Sequence, residues 1–204
     1  MKTSKYFRHF NDNYDYAVLR NARDAIFCNS IKDDIDLLFD LKDIASVTNY
    51  LKNNGFKRKQ DSLLVYTYLY NARPHIHFYN DKIHFDIVTK LTVRSPLNQE
   101  FMSLHQDIQN SLLQNRIFCS EKMLWTISHD DEFVTLVSHC IFDKFDFSLR
   151  YQKRIFELLN VINIDSVETK LQKIFYKSTA KIMSCIKQNQ MDRLMKLYLE
   201  NIKY

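Results

Sequence analysis

Glycine is almost absent from this chain. One glycine in 204 residues leaves no room for a Gly-rich phosphate loop, so neither a P-loop nor a dinucleotide-binding fingerprint can be written. Two prolines and the lack of Gly/Ser-rich stretches exclude long flexible linkers. The four cysteines, Cys28, Cys119, Cys140 and Cys185, are scattered with no CxxC pair, which argues against a disulfide framework or a thiolate zinc site. No apolar run is long enough to cross a bilayer. The N-terminal stretch Met1 to Phe10 is charged and lacks an apolar signal core, so the expected location is cytoplasmic.

What is present is aromatic and apolar mass. Hydrophobic residues make up 46% of the chain, including 12 Tyr and 15 Phe, enough for a substantial core. The net charge of +5 is mild. It suits an anionic or phosphorylated substrate and does not favour a dedicated nucleic-acid binder, although nucleic acid stays open as a partner.

The pattern changes near Pro96. Before it, short alternating segments dominate, with strands expected over residues 16–20, 34–40, 63–70, 75–79 and 82–89. A helix is expected over residues 43–54, with Ile44, Val47 and Leu51 on one face and Gly55 as its C-cap. Asn80-Asp81 reads as a hairpin turn. From Asn98 onward the expectation is helical, over residues 101–114, 130–142, 148–160, 165–176 and 179–198. The expected division is therefore a core over residues 1–94 and a helical region over 95–204. The amphipathic, basic stretch from Lys187 to Tyr204 would pack on the body, join a homodimer or touch a membrane surface.

Asp34-Ile35-Asp36 carries the sharpest chemical signal. Two carboxylates two residues apart on a strand point the same way, and their repulsion is relieved by a cation between them. Magnesium suits hard oxygen ligands, and manganese is a possible substitute. Asp86 supplies a third carboxylate from the polar face of another alternating segment, where Ile83, Phe85 and Ile87 face the core and His84 shares the side of Asp86. Such a trio could hold two metals about 4 Å apart, clamping the attacking and leaving oxygens of a phosphoryl transfer. Asp34 and Asp36 would bridge the ions, and Asp86 would stand nearest the nucleophile and could accept its proton.

Around these residues, His75, His77 and His84, with Tyr66, Tyr68, Tyr70 and Tyr79, could line a polar aromatic groove for a base or sugar ring, or form an ordinary solvated sheet face. Lys57-Arg58-Lys59 is a short basic cluster that could meet phosphate or simply be a solvated loop. His139 and Asp143, four apart, can hydrogen-bond along one helix, and Lys144 could reach a phosphate.

The stretches Tyr16 to Asn21, Asp33 to Leu38 and Lys82 to Val88 resemble the nucleotidyltransferase superfamily related to DNA polymerase β. More narrowly, the chain is similar to bacterial nucleotidyltransferase-family proteins associated with capsule or surface polysaccharide biosynthesis, and Leu136 to Lys144 resembles their C-terminal helical region. The resemblance implies an α+β fold: a small mixed β-sheet core with a C-terminal helical region. It implies a nucleoside triphosphate, magnesium, and transfer of a nucleotidyl group to a hydroxyl or phosphate of a small polar, sugar-like acceptor. Where the superfamily places a Gly-Ser pair after the first strand, this chain has Leu19-Arg20-Asn21-Ala22-Arg23. Arg20, Asn21 and Arg23 are then the candidates for gripping phosphate by charge and hydrogen bonding. Two alternatives share the fold: a toxin-type nucleotidyltransferase acting on tRNA or protein, and a catalytically degenerate scaffold.

Overall fold

The structure, a computed structural model, describes residues 4–20, 34–59, 75–94 and 101–201. In chain order the elements are α1 (Ser4–Asn13), β1 (Tyr16–Val18), β2 (Ile35–Phe39), α2 (Ile44–Asn53), β3 (Lys57–Arg58), β4 (Ile76–Tyr79), β5 (His84–Val88), β6 (Thr92–Arg94), β7 (Phe101–Ser103) and α3 (Gln106–Gln114). They continue with β8 (Ile117–Cys119), β9 (Leu124–Thr126), α4 (His129–His139), α5 (Leu149–Leu159), α6 (Ile164–Phe175), α7 (Thr179–Lys187) and α8 (Met191–Asn201). The expected strand over 63–70 lies outside the described residues. The chain divides into two compact units, one of residues 1–91 with 109–128 and one of residues 92–108 with 129–204. No helix among the described residues is long and apolar enough to cross a membrane.

The first unit is built on a seven-stranded mixed sheet in the order β3-β4-β5-β2-β1-β9-β8. The α+β class with a mixed sheet is thus observed, and the sheet is wider than the first half of the sequence suggests. Strands β2 and β5 run parallel, as do β1 and β9; the other pairs are antiparallel. Alternation explains the layering. Ile35, Leu37 and Phe39 of β2, Phe85 and Ile87 of β5, and Phe78 of β4 all enter one core. That core is closed by Tyr6, Phe7 and Phe10 of α1 and by Val47 and Leu51 of α2. Residues 6, 7 and 10 share one helical face, so the N-terminal segment is an amphipathic helix. On the opposite face, Ala17, Leu19, Leu38 and Val88 meet Leu112 of α3 and Ile127 in a smaller cluster. This explains Leu38, which falls among aspartates in the alternation and is nonetheless buried.

Local caps follow the sequence closely. Gly55 has φ +82°, and the N–H groups of Gly55 and Phe56 donate to the carbonyls of Lys52 and Leu51, closing α2 with a Schellman motif. In the β4–β5 turn, the Asn80 side-chain oxygen accepts from the N–H groups of both Lys82 and Ile83 at 2.9 Å.

The second unit is mainly helical around Phe133, Leu136, Ile155, Leu171, Ile186 and their neighbours. Asp130, Asp131 and Glu132 fall in the first turn of α4, which suits the helix dipole. Three expectations need correction. Residues 101–103 form a strand rather than the start of a helix: they pair with β6, and the Arg94 guanidinium lies over the Phe101 ring at 5.2 Å. Tertiary pairing here overrides an apolar spacing that also fits a helix. Residues 117–119 and 124–126, between the helices expected over 101–114 and 130–142 in a stretch read as almost wholly helical, are strands added to the first unit's sheet. The long helix expected over 179–198 is two helices, α7 and α8. Asn189 takes φ 55°, and the Gln190 N–H donates back to the Cys185 carbonyl at 2.8 Å, so asparagine ends α7 in the left-handed role usually given to glycine.

Candidate active site

Parallel pairing of β2 with β5 brings the carboxylates together. Asp36 is the register partner of Asp86, and both point away from the main core. Asp34 sits one residue before β2 and shares the side of Asp36. One carboxylate oxygen from each of Asp34, Asp36 and Asp86 lies within 4.8 Å of the others. Asp34 is exposed, Asp36 half-buried and Asp86 only 6% exposed.

Asp86 is the most constrained of the three. Its Oδ2 accepts a 2.6 Å hydrogen bond from His75 Nδ1. Its Oδ1 is buried and has no hydrogen-bond partner; His77 Nδ1 lies 3.7 Å from it. Burial pushes the carboxyl pKa up, but the His75 bond and the charges of His75, His77 and Arg20 outweigh it, leaving it below the usual carboxylate value. For His75, burial opposes the charged ring while the bond to Asp86 favours it, and the net pKa is raised.

A buried, half-satisfied carboxylate facing two more carboxylates could hold a hard divalent cation. The residues fit such an ion in kind: all the candidate ligands are oxygens, one from each residue lies within 4.8 Å of the others, and the buried Oδ1 has no hydrogen-bond partner.

Arg20, just beyond β1, directs Nε at Asp36 Oδ2 at 3.1 Å, so this guanidinium is engaged with one of the three carboxylates. Asn21, Arg23 and Tyr68 lie outside the described residues. His77 and His84 are neighbours, with Nδ1 and Nε2 3.2 Å apart. The structure therefore gathers His75, His77 and His84 beside Asp86. Their alternation on the polar face is legible in the sequence, while the direct His75–Asp86 contact depends on which strand pairs with which. Lys144 is exposed in a π-helical turn of the second unit. In that turn Asp143 accepts from His139 Nδ1 at 2.9 Å and from the Arg94 N–H at 3.0 Å, a structural tie to β6.

Residues 32–177 match the family described as uncharacterised nucleotidyltransferase. No curated protein shows significant similarity to the chain. Among solved structures, the solution structure of the antibiotic-resistance factor ANT(2'')-Ia is similar, with a TM-score of 0.52, 11% identity, and coverage of 93% of this chain and 100% of that one. The crystal structure of the lincosamide antibiotic adenylyltransferase LnuA, lincomycin-bound, matches with a TM-score of 0.48, 13% identity, and coverage of 79% and 98%. At such identities the likeness is one of fold.

Proposed function

The chain belongs to the family of uncharacterised nucleotidyltransferases, and on that premise we propose that it is a magnesium-dependent enzyme moving a nucleotidyl group from a nucleoside triphosphate to a small polar acceptor. The acceptor group is a hydroxyl or phosphate, with a sugar or phosphosugar as the favoured class. The observation carrying this reading is the convergence of Asp34, Asp36 and Asp86 around a buried carboxylate oxygen that lacks a partner.

In this reading the three aspartates hold magnesium, with manganese able to replace it. Bound there, such a cation would supply charge neutralisation at the phosphates. The chain's own groups do the rest. With a hydroxyl acceptor, its oxygen attacks the α-phosphorus, the bond to the bridging oxygen breaks, and pyrophosphate leaves. The hydroxyl proton passes to Asp86 and from there to water. His75 keeps the Asp86 carboxylate oriented by occupying Oδ2, which leaves Oδ1 for the reacting side. Arg20, together with Asn21 and Arg23 beside it in sequence, supplies the phosphate contacts that a Gly-Ser loop would otherwise provide.

The test is nucleotide turnover. Purified wild type is incubated with each labelled nucleoside triphosphate, magnesium and a panel of sugars and phosphosugars, alongside Asp36→Asn. Metal-dependent pyrophosphate release that Asp36→Asn abolishes supports the reading. Equal inactivity of both proteins with every nucleotide removes its main support.

A further inference from the structure

The polar face of the sheet does not end at the carboxylates. Strand register carries it outward across β5, β4 and β3. Asp86 pairs with His77, and the Lys59 N–H donates to the His77 carbonyl at 3.0 Å, placing Lys59 level with His77. One step along, His84 pairs with Tyr79, and Tyr79 pairs with Lys57. The result is two adjacent rungs: Asp86–His77–Lys59 and His84–Tyr79–Lys57. Phe78 and Phe85, between these positions, are fully buried in the core, so both rungs lie on the face that also carries Asp36.

Along the first rung the chemistry runs from carboxylate through imidazole to ammonium, and along the second from imidazole through phenol to ammonium. Lys57 and Lys59 are exposed, and no acidic side chain among the described residues pairs with them. Tyr79, the last residue of β4, is 41% exposed although strands flank it on both sides. Two strand spacings separate Asp86 from Lys59, about 10 Å at the backbone. The two lysines are two residues apart on one strand, roughly 7 Å, close enough for both to reach one phosphate.

From this we infer that the face from β5 to β3 is the acceptor subsite, and that the acceptor carries a phosphate one ring away from the group that is modified. The inference rests on the nucleotidyl-transfer reading and names its substrate class. The reacting group lies at Asp86, the ring lies against His77, His84 and Tyr79, and Lys57 and Lys59 hold the phosphate. Nucleotide phosphate and acceptor phosphate are then kept apart, because Arg20 stands on the β1 side of Asp36 and the lysines stand beyond β4. A ring flanked by hydroxyl and phosphate occurs in a free sugar phosphate and in a nucleotide of an RNA strand.

The test reads binding without catalysis. Histidine imidazole resonances are followed by NMR, with neither nucleotide nor metal present, while glucose, glucose 1-phosphate or a 5′-phosphorylated RNA oligonucleotide is added. At least one phosphorylated probe should shift His77 and His84 to saturation, and glucose should not. Lys57→Gln/Lys59→Gln should weaken that binding about tenfold while keeping the wild-type thermal response to magnesium, which shows that the variant is folded. Saturation by glucose 1-phosphate identifies a small acceptor. Preference for RNA with a steep salt dependence identifies a nucleic-acid end. If no phosphorylated probe moves these resonances at millimolar concentration, or the lysine variant binds as wild type does, the subsite assignment is overturned. Probe binding without any turnover would instead overturn the activity reading and leave the subsite standing.

Discussion

Asp36 and Asp86 are register partners on neighbouring parallel strands, so their carboxylates project from the same face one strand spacing apart. Arg20 meets one of them and His75 the other, each through a single carboxylate oxygen, Oδ2. Among the described residues, the hydrogen bonds at this pair leave Asp86 Oδ1 unsatisfied.

Metal should therefore stabilise the folded chain. A ligand that binds only the native state at a hundred times its dissociation constant adds about 2.7 kcal/mol. Magnesium or manganese should raise the melting temperature of wild type by several degrees in a thermal-shift assay. Asp34→Asn is the cleanest control: Asp34 is exposed, so its metal-free melting temperature should match wild type, while most of the metal-induced rise is lost. A metal response unchanged in Asp34→Asn would remove this residue from the site.

The two-residue period of β2 and β5 makes this pair legible in the sequence. Ile35, Leu37, Phe85 and Ile87 alternate with Asp36 and Asp86, and Gly55 marks the end of α2 through its permitted backbone angle. What alternation does not encode is which strand lies beside which. The His75–Asp86 bond and the two rungs toward Lys57 and Lys59 follow from the order β3-β4-β5-β2. Leu38 is out of step with the alternation because its cover, Leu112, lies far along the chain. Phe101 to Ser103 fits a helical spacing and becomes a strand only through Thr92 to Arg94. The break between α7 and α8 is hidden in the sequence because Asn189 adopts a left-handed angle that glycine takes most readily.

The second unit holds its helices partly by charge. Asp131 is wholly buried in α4, and Lys170 of α6 reaches its Oδ1 at 2.7 Å. Removing only the cation takes the Lys170 ammonium from a buried carboxylate, and breaking one side of such a pair costs about 3–5 kcal/mol. Lys170→Met should lower the urea midpoint accordingly. Asp131→Leu/Lys170→Met should recover most of the loss, because neither charge is then left to desolvate. A double variant as weak as the single one would locate the cost in packing rather than charge.

Acid should act on the first unit through Asp15. Its carboxylate accepts from Lys42 Nζ at 2.6 Å and from Arg116 Nη2 at 2.8 Å, and these two bonds hold its pKa below the usual value. A carboxyl whose folded pKa is depressed contributes stability above its unfolded pKa of roughly 3.9 and loses it as pH falls through the lower folded value. The contribution is small, since the pair with Lys42 is exposed and screened by water. Asp15→Asn should thus be less stable than wild type at neutral pH, and the two should converge below about pH 4. Urea melts across that range test this; a constant gap down to low pH would assign the effect to lost hydrogen bonds alone.

His75 should act as a positioning residue for the cation site. Its Nδ1–H is the only hydrogen-bond donor shown on Asp86 Oδ2 among the described residues, and Asp86 Oδ1 has no hydrogen-bond partner. A group that orients a metal-binding carboxylate typically changes metal affinity by about 10–100-fold when removed. His75→Ala should weaken manganese binding within that range in calorimetry. His75→Asn keeps an N–H donor of similar reach and should restore most of the affinity, which a purely structural role for the imidazole would not allow. Turnover should follow the same order through the metal concentration needed for half-maximal rate, with the rate at saturating metal changing less. If His75→Ala binds manganese as tightly as wild type, Asp86 is held by the sheet alone, and the short bond from His75 has no part in preparing the site.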